Sequence, residues 1–485
     1  MPQSLKNKAV KGVGWSFADS LLGQGVSFLV SLVLARLLTP DDYGLLAYLT
    51  ILIAVSGSFV DSGFSSALIR KQDARDEDYN TTFTINLCVS LSLVGLLFIY
   101  APAIADFFER AELISLIRVM SWIVVINALS IIQLTRLRKN VDFKTQTKAS
   151  FISSITSGVV GITMAFYGCG VWSLVGQQLS RQTLYTVLLW SYTKWYPKLQ
   201  VSVQSFKELF DFGWKLLASG LIDTVWREIY QVVIGKCYSP ATLGHYTRAN
   251  QFGSIFSSNL NGVVQRVSYP VLSEMQGDKE RLKLGYKRII KVTMLVTFVL
   301  MLGLAAIAEP MVLTLIGEHW LPCVPMLQII CFNMMLYPLH SLNLNMLQVQ
   351  GMSDIFLKLE IIKKIVAVGP LLLGIFVGIY WMLIGSVLTG FFAYYLNSYY
   401  SGLFLKYSIK EQVKDILPSF RVAIAMAVPV FAMSFIPISS FILLPLQILV
   451  GVTITVGICE VVKLPEYLEI KGIAMPLINK IIKCK

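Results

Sequence analysis

Apolar runs follow one another along almost the whole chain, each ended by a short break of polar residues, glycine or proline. Runs ending near Leu38, Leu68, Ile104, Leu137, Tyr167, Thr193, Lys236, Gln265, Ala308, Val349, Val377, Tyr400, Ile436 and Val462 are each about 20 residues long, enough for a helix to cross the hydrocarbon core. A backbone in lipid must satisfy its own hydrogen bonds. The runs therefore predict an all-α polytopic membrane protein with about fourteen transmembrane helices. The breaks at residues 39 to 42, 168 to 170, 378 to 379 and 437 to 440 are very short, and those at 106 to 112 and 309 to 322 are still brief. All of these fall on one side of the predicted bilayer, which leaves no room for an external domain there.

Lysine and arginine divide the breaks into two sets. One set holds Lys6, Lys8 and Lys11; Arg70, Lys71 and Arg75; Arg136, Arg138, Lys139, Lys144 and Lys148; Lys194, Lys198 and Lys207; and it continues through Arg266, Lys279 to Lys291, Lys358 to Lys364, Lys406 to Lys414 and Lys463 to Lys485. Only Arg110 and Lys236 fall in the other set. Cytoplasmic retention of basic residues predicts this split, and a wrong span count would scramble it. The chain is expected in a bacterial cytoplasmic (inner) membrane as a multi-pass protein with both termini cytoplasmic. The apolar stretch from about Val13 to Leu38 is read as the first span, because it is too long for a signal-peptide core and lacks a small-residue cleavage site.

Composition agrees with lipid as part of the solvent: 55% of residues are hydrophobic, 14% are charged and the mean hydropathy is +0.67. The formal charge of +13 needs no nucleic acid, since dispersed basic loops facing anionic headgroups account for it. The seven cysteines are scattered, and His245, His319 and His340 are not grouped at metal-ligand spacing. No metal or other cofactor is expected. A glycine-rich phosphate loop is missing too, which disfavours direct ATP hydrolysis.

An internal repeat organises the spans. Gly14-Trp15 opens span one and Gly213-Trp214 opens span seven; Pro40 and Gly44 are echoed by Pro240 and Gly244; Trp172, Leu174 and Gly176 recur as Trp381, Leu383 and Gly385. A separation of roughly 200 residues suits a duplicated six-helix lobe rather than a solenoid. Like-oriented halves imply a pseudo-twofold axis along the membrane normal with a site between lobes. The expected division is an N-lobe of spans one to six (1 to 193), a cytoplasmic linker (194 to 211), a C-lobe of spans seven to twelve (212 to 402), and spans thirteen and fourteen with a basic tail (403 to 485).

Several spans carry polar faces. Ser16, Ser20, Gln24, Ser27 and Ser31 share one side of span one; Thr247, Gln251, Ser254, Ser258, Asn261 and Gln265 line span eight; Ser58, Asp61 and Ser65 lie in span two. Small hydroxyls and amides can glue helices together, and for span one that reading competes with a wet cavity. For span eight the amides and a nearby arginine favour water. Asp223, Arg227 and Glu228 sit in the middle third of span seven, Arg248 a few residues into span eight, Arg181 near the middle of span six, Arg36 near the outer end of span one and Asp19 near its inner end. A charge at the bilayer centre costs about 2.5–3.5 kcal/mol on insertion scales, so these groups are expected to face a shared cavity. Snorkelling of Arg36 to the interface and internal pairing of Asp223 with Arg227 are the competing readings.

Arg36, Arg181, Arg227 and Arg248 are thus candidates for an anionic substrate, because a guanidinium fork gives paired hydrogen bonds to phosphate and stays charged. Ser20, Gln24, Gln251, Ser254 and Asn261 are candidate lining groups for sugar hydroxyls. Asp19, Asp61, Asp223 and Glu228 are candidates for a charge pair or for coupling to H+ or Na+.

Lys11-Gly12-Val13-Gly14-Trp15, the stretch from Leu34-Ala35-Arg36 through Thr39-Pro40-Asp41-Asp42-Tyr43-Gly44-Leu45, the run Asp61-Ser62-Gly63-Phe64-Ser65-Ser66-Ala67-Leu68-Ile69 and Gly317-Glu318-His319-Trp320 resemble the polysaccharide-export family. This family includes Wzx-type lipid-linked oligosaccharide flippases, within the multidrug/oligosaccharidyl-lipid/polysaccharide exporter superfamily, and the chain looks like its colanic-acid-exporter-like subgroup. The resemblance implies a MATE-like two-lobe bundle with alternating access around a central cationic cavity. It implies an undecaprenyl-diphosphate-linked oligosaccharide as cargo, moved from the cytoplasmic to the outer leaflet for surface polysaccharide synthesis. The expected partners are that lipid-linked glycan, membrane lipids and polysaccharide polymerase or export machinery, with the chain acting as a monomer. A MATE-like drug or cation antiporter would favour an acid-dominated lumen, whereas Arg36, Arg181, Arg227 and Arg248 stand among the candidate groups here. A membrane glycosyltransferase or polymerase would need a spaced acid pair on a sizeable outer loop, and the first outer loop offers only Asp41 and Asp42 beside Pro40.

Overall fold

The computed structural model describes residue 23 and residues 25 to 61, 63 to 71, 73 to 350, 352 to 472 and 475. Among these the chain is helical throughout, without a strand. It forms two compact units, Met1–Gly244 and His245–Lys485. Among the described residues nine helical stretches are long and apolar enough to cross a bilayer. Others of similar length are more charged or more polar, and they include the helices that carry the candidate site.

The first unit holds α1 (Gly25–Leu37), α2 (Pro40–Asp61), α3 (Phe64–Arg70), α4 (Asp76–Phe107), α5 (Leu113–Lys139), α6 (Phe143–Phe166), α7 (Val171–Thr193) and α8 (Val203–Cys237), and it includes the first residues of α9 (Pro240–Glu274). Antiparallel neighbours α4 and α5, and α6 and α7, pack along their lengths, while α2 lies against α8. At one end Phe64, Leu68, Tyr79, Phe83, Ile132 and Leu209 form a buried cluster; elsewhere Leu34 and Leu38 pack with Ala165 and Leu174.

Span two, expected as one helix, is two: α2 and α3 are separated at Gly63, whose φ of 68° only glycine takes without strain. Gly63 also abuts α8, because a Cβ there would lie 2.6 Å from the Gly213 carbonyl oxygen. The repeat is visible in local chemistry. Thr39 precedes Pro40 and its hydroxyl accepts from the Asp42 N–H at 3.3 Å; Ser239 precedes Pro240 and accepts from the Thr242 N–H at 3.2 Å. Each proline opens a helix where its missing N–H leaves no bond unmade. In the same way Gly170 (φ 53°) and Gly378 (φ 154°) stand just before α7 and α15 (Ile379–Leu405).

The second unit holds the rest of α9, α10 (Lys279–Ala306), α11 (Ala308–Leu315), a 3-10 turn (Glu318–Trp320), α12 (Cys323–Met334), α13 (Tyr337–Val349), α14 (Ser353–Phe376), α15, α16 (Ile409–Ala432) and α17 (Ser440–Val462). Span ten is divided at residues 335 and 336 into α12 and α13, and the outer connection before it contains the short α11. Helices α16 and α17, the spans without a repeat counterpart, join this unit through α10: Leu295, Val422, Cys459 and Leu464 form one core, and Ala306, Met426 and Val430 another.

Candidate functional site

Helix α8 carries a polar stripe at every fourth residue: Asp211, Lys215, Ser219, Asp223 and Arg227 are all exposed. A step of four residues overshoots one helical turn by about 40°, so neighbours in the series lie side by side while the series as a whole winds by about 160° round the helix from Asp211 to Arg227. Within it Asp223 and Arg227 pair at 3.5 Å, with side-chain exposures of 67% and 70%. Sequence reasoning found the pair and missed the row, although the i, i+4 spacing was available to show it. Next to it Glu228 is half-buried and accepts a hydrogen bond from Gln231. Helix α2 is tied to α8 by Ser58 and Thr224, whose hydroxyls lie 2.9 Å apart. Asp61, at the end of α2, is exposed and accepts from the Ser65 hydroxyl at 2.5 Å. The same unit places Arg181 half-buried on α7 and Arg36 exposed in the last turn of α1. Asp19, Ser20 and Gln24 lie outside the described residues.

Arg248, on α9 in the second unit, has a different setting. It is 2% exposed, donates through Nη1 to Gln251 Oε1 at 2.6 Å, and lies 5.5 Å from the centroid of the fully buried Trp320. His245 meets the same indole edge-on. A desolvated cation over an indole face gains about 2 kcal/mol, and the amide oxygen offsets more of the cost of burial. The motif that ends in His319-Trp320 thus provides the platform for a buried arginine.

The polar row of α9 divides by role. Ser254 and Ser258 return their hydroxyls to the helix's own carbonyls at 3.2 and 2.5 Å, while Ser257, outside the row, donates to the Met334 carbonyl at 2.8 Å. Gln265 donates to Ser341 and accepts from Asn345, so the inner end of the row joins α9 to α13. Asn261 is half-buried, and its Oδ1 has no hydrogen-bond partner among the described residues. Elsewhere in this unit Phe256, Leu300, Leu304, Met426, Ile448 and Val452 line an apolar groove of about 370 Å³ between α9, α10, α16 and α17.

Ion pairs tie the charged helix ends of the first unit to one another. Lys236 pairs with Glu109 at 2.8 Å beside Phe107, which brings the outer-assigned breaks together. Lys71 bridges Asp78 at 3.0 Å and Glu208 at 2.9 Å, and Arg136 pairs with Asp76 while lying over Tyr79 and Trp195 at 5.2 and 5.1 Å. All of these belong to inside-assigned breaks or the helix ends beside them. Lys194, Lys406 and Lys463 end α7, α15 and α17 in the left-handed conformation, each donating its N–H to a carbonyl of the last turn. A cation there complements the negative end of the helix. Among the described residues no group of three or more His, Cys, Asp or Glu could hold a metal ion.

A family model described as polysaccharide biosynthesis protein matches residues 33–325. The chain is 25% identical over 355 residues to the teichuronic acid biosynthesis protein TuaB of Bacillus subtilis (strain 168), covering 73% of each. To the lipopolysaccharide biosynthesis protein WzxC of Escherichia coli (strain K12) it is 22% identical over 378 residues, covering 76% of each. Among solved structures it matches the lipid II flippase MurJ in an inward closed conformation, with a TM-score of 0.69 and 16% identity over 92% of this chain and 97% of that one. At that identity the likeness speaks for the fold alone.

Proposed function

The chain belongs to the polysaccharide biosynthesis protein family, a family of multi-pass membrane transporters rather than enzymes, and from that premise we propose that it moves an undecaprenyl-diphosphate-linked oligosaccharide from the cytoplasmic to the outer leaflet of a bacterial inner membrane. The observation that carries the reading is the exposed row on α8. A lipid-facing Asp223–Arg227 pair would sacrifice several kcal/mol of solvation, at about 2.5–3.5 kcal/mol per central charge. Water must therefore reach this face at mid-span, and an aqueous path beside a fixed guanidinium suits an anionic headgroup.

In this reading Arg227, with Arg36 and Arg181 of the same unit, meets the diphosphate. Arg248, in the second unit, meets cargo only by leaving Gln251 and Trp320, which makes it a group engaged in some states of an alternating-access cycle. Gln251, Ser254 and Asn261 face sugar hydroxyls, and the polyprenyl tail stays in lipid or in the apolar groove beside α16 and α17. A proton or sodium ion couples through Asp61, Asp223 or Glu228, whose charge state sets which partner Arg227 holds. The chain works as a monomer and hands its cargo to polymerase or export machinery.

The test is export of surface glycan by a flippase-deficient host carrying the full chain. Arg227→Ala and Arg248→Ala should each abolish export while the protein still inserts at wild-type level. Undiminished export by both single variants rejects the arginine site.

A further inference from the structure

We propose that the connection between α7 and α8 forms a cytoplasmic docking cleft for the neutral sugar rings of the cargo, apart from the arginines that meet its diphosphate; the ligand class rests on the transport reading above. Residues 194 to 202, the first part of the linker expected over 194 to 211, are pinned to α4, and the rest of that stretch from Val203 belongs to α8. The Lys198 N–H donates to Asn80 Oδ1 at 2.9 Å, the Ser202 N–H to Thr81 Oγ1 at 3.0 Å, and the Thr84 hydroxyl to the Gln200 carbonyl at 3.4 Å. Between the fixed strap and the start of α4 lies a cleft of about 640 Å³, walled by Trp195, Tyr196, Asp76, Glu77, Lys198 and Gln200. That volume falls within the roughly 300–1,000 Å³ of small-molecule sites.

The wall chemistry selects a class of ligand. Trp195 is held in place by Arg136 on its face and the Tyr79 ring edge-on at 6.2 Å, while Tyr196 is 70% exposed. Aromatic faces beside carboxylates and amides match a sugar, whose C–H faces pack on rings and whose paired hydroxyls donate to carboxylates and accept from amides or ammonium. Asp76 and Glu77 are offset by Arg136 and Lys198, so the cleft has no excess positive charge to hold a diphosphate, and this cleft and the arginine row read different parts of one cargo. Asp78 caps α4 by accepting from the Arg75 N–H at 2.9 Å, and Asp76 and Glu77 beside it stand in the first turn, where the helix end also favours negative charge. Asp76 is engaged by Arg136, and Glu77 has no ion pair among the described residues.

Saturation-transfer NMR on the full chain in lipid nanodiscs tests the cleft, with neutral tetrasaccharides of glucose, galactose and N-acetylglucosamine that carry neither lipid nor phosphate. At least one should bind through its ring protons, with affinity weakened at least roughly tenfold by Tyr196→Ala and by Glu77→Gln and retained in Tyr196→Phe. Both positions are exposed, and an unchanged gel-filtration profile establishes that the variants fold. Failure of all three sugars to bind, or binding that survives Tyr196→Ala and Glu77→Gln, overturns the proposal. The two readings fail separately: a chain that exports glycan but binds no free sugar loses only the cleft. One that binds sugar at these residues and exports nothing keeps the cleft and loses the transport role.

Discussion

Gly44 of α2 lies directly against the main-chain carbonyl of Pro240, and the repeat returns the contact, with Gly244 against the carbonyl of Pro40. A Cβ at either glycine would overlap a backbone oxygen that no side-chain rotation can move. The proline–glycine echo noticed along the chain is thus one reciprocal crossing of two helix starts. Overpacking at such a site costs about 1–3 kcal/mol. Gly44→Ala and Gly244→Ala should each lower the melting temperature of the solubilised protein. Gly95→Ala, where a Cβ meets open space, should leave it unchanged or slightly raised.

Gly63 faces two restrictions, a left-handed backbone and the Gly213 carbonyl of α8. Gly63→Ala should therefore destabilise by more than the ~1 kcal/mol of a left-handed alanine alone. Limited proteolysis between α2 and α3 should show faster cutting; a wild-type rate would mean that the bend relaxes without strain.

Trp320 supports Arg248 inside the second unit. Trp320→Phe keeps an aromatic face and should be mild. Trp320→Ala leaves a cavity beside a buried guanidinium and should cost about 3–5 kcal/mol, seen as a large fall in folded yield and melting temperature. Equal behaviour of the two variants would show that the ring's face contributes nothing.

Lys71 joins the loop before α4 to α8. The Glu208 carboxylate that accepts from its Nζ raises the ammonium's pKa, against the opposing effect of partial burial and with help from Asp78. A raised folded-state value means that this stabilisation is complete below the unfolded lysine value of about 10.4 and disappears as pH rises through the folded value. The melting-temperature gap between wild type and Lys71→Met should hold steady from about pH 7 to 9 and close only in strong alkali. A gap that closes below about pH 9 would assign it to another group.

The candidate site was legible in part. Asp223 and Arg227 were readable as an i, i+4 pair because helical neighbours follow from spacing alone. Their continuation into a row through Asp211, Lys215 and Ser219 is equally local, but it becomes significant only once that face is known to be exposed. Arg248 shows the opposite case. Its charge drew it into the list of cavity groups, whereas its burial against Trp320 joins residues far apart in the chain, and periodicity carries no information about such partners.

The sequence by itself determined the helical class, the polytopic character and the repeated helix starts, because hydropathy and capping act over one or two turns of chain. Tertiary structure alone decided that residues 194 to 202 become a wall pinned to α4, that Gln265 bridges to Ser341 and Asn345, and that Gly44 receives the Pro240 carbonyl. Each of those depends on which helices meet and at what height, and close packing between distant segments sets both.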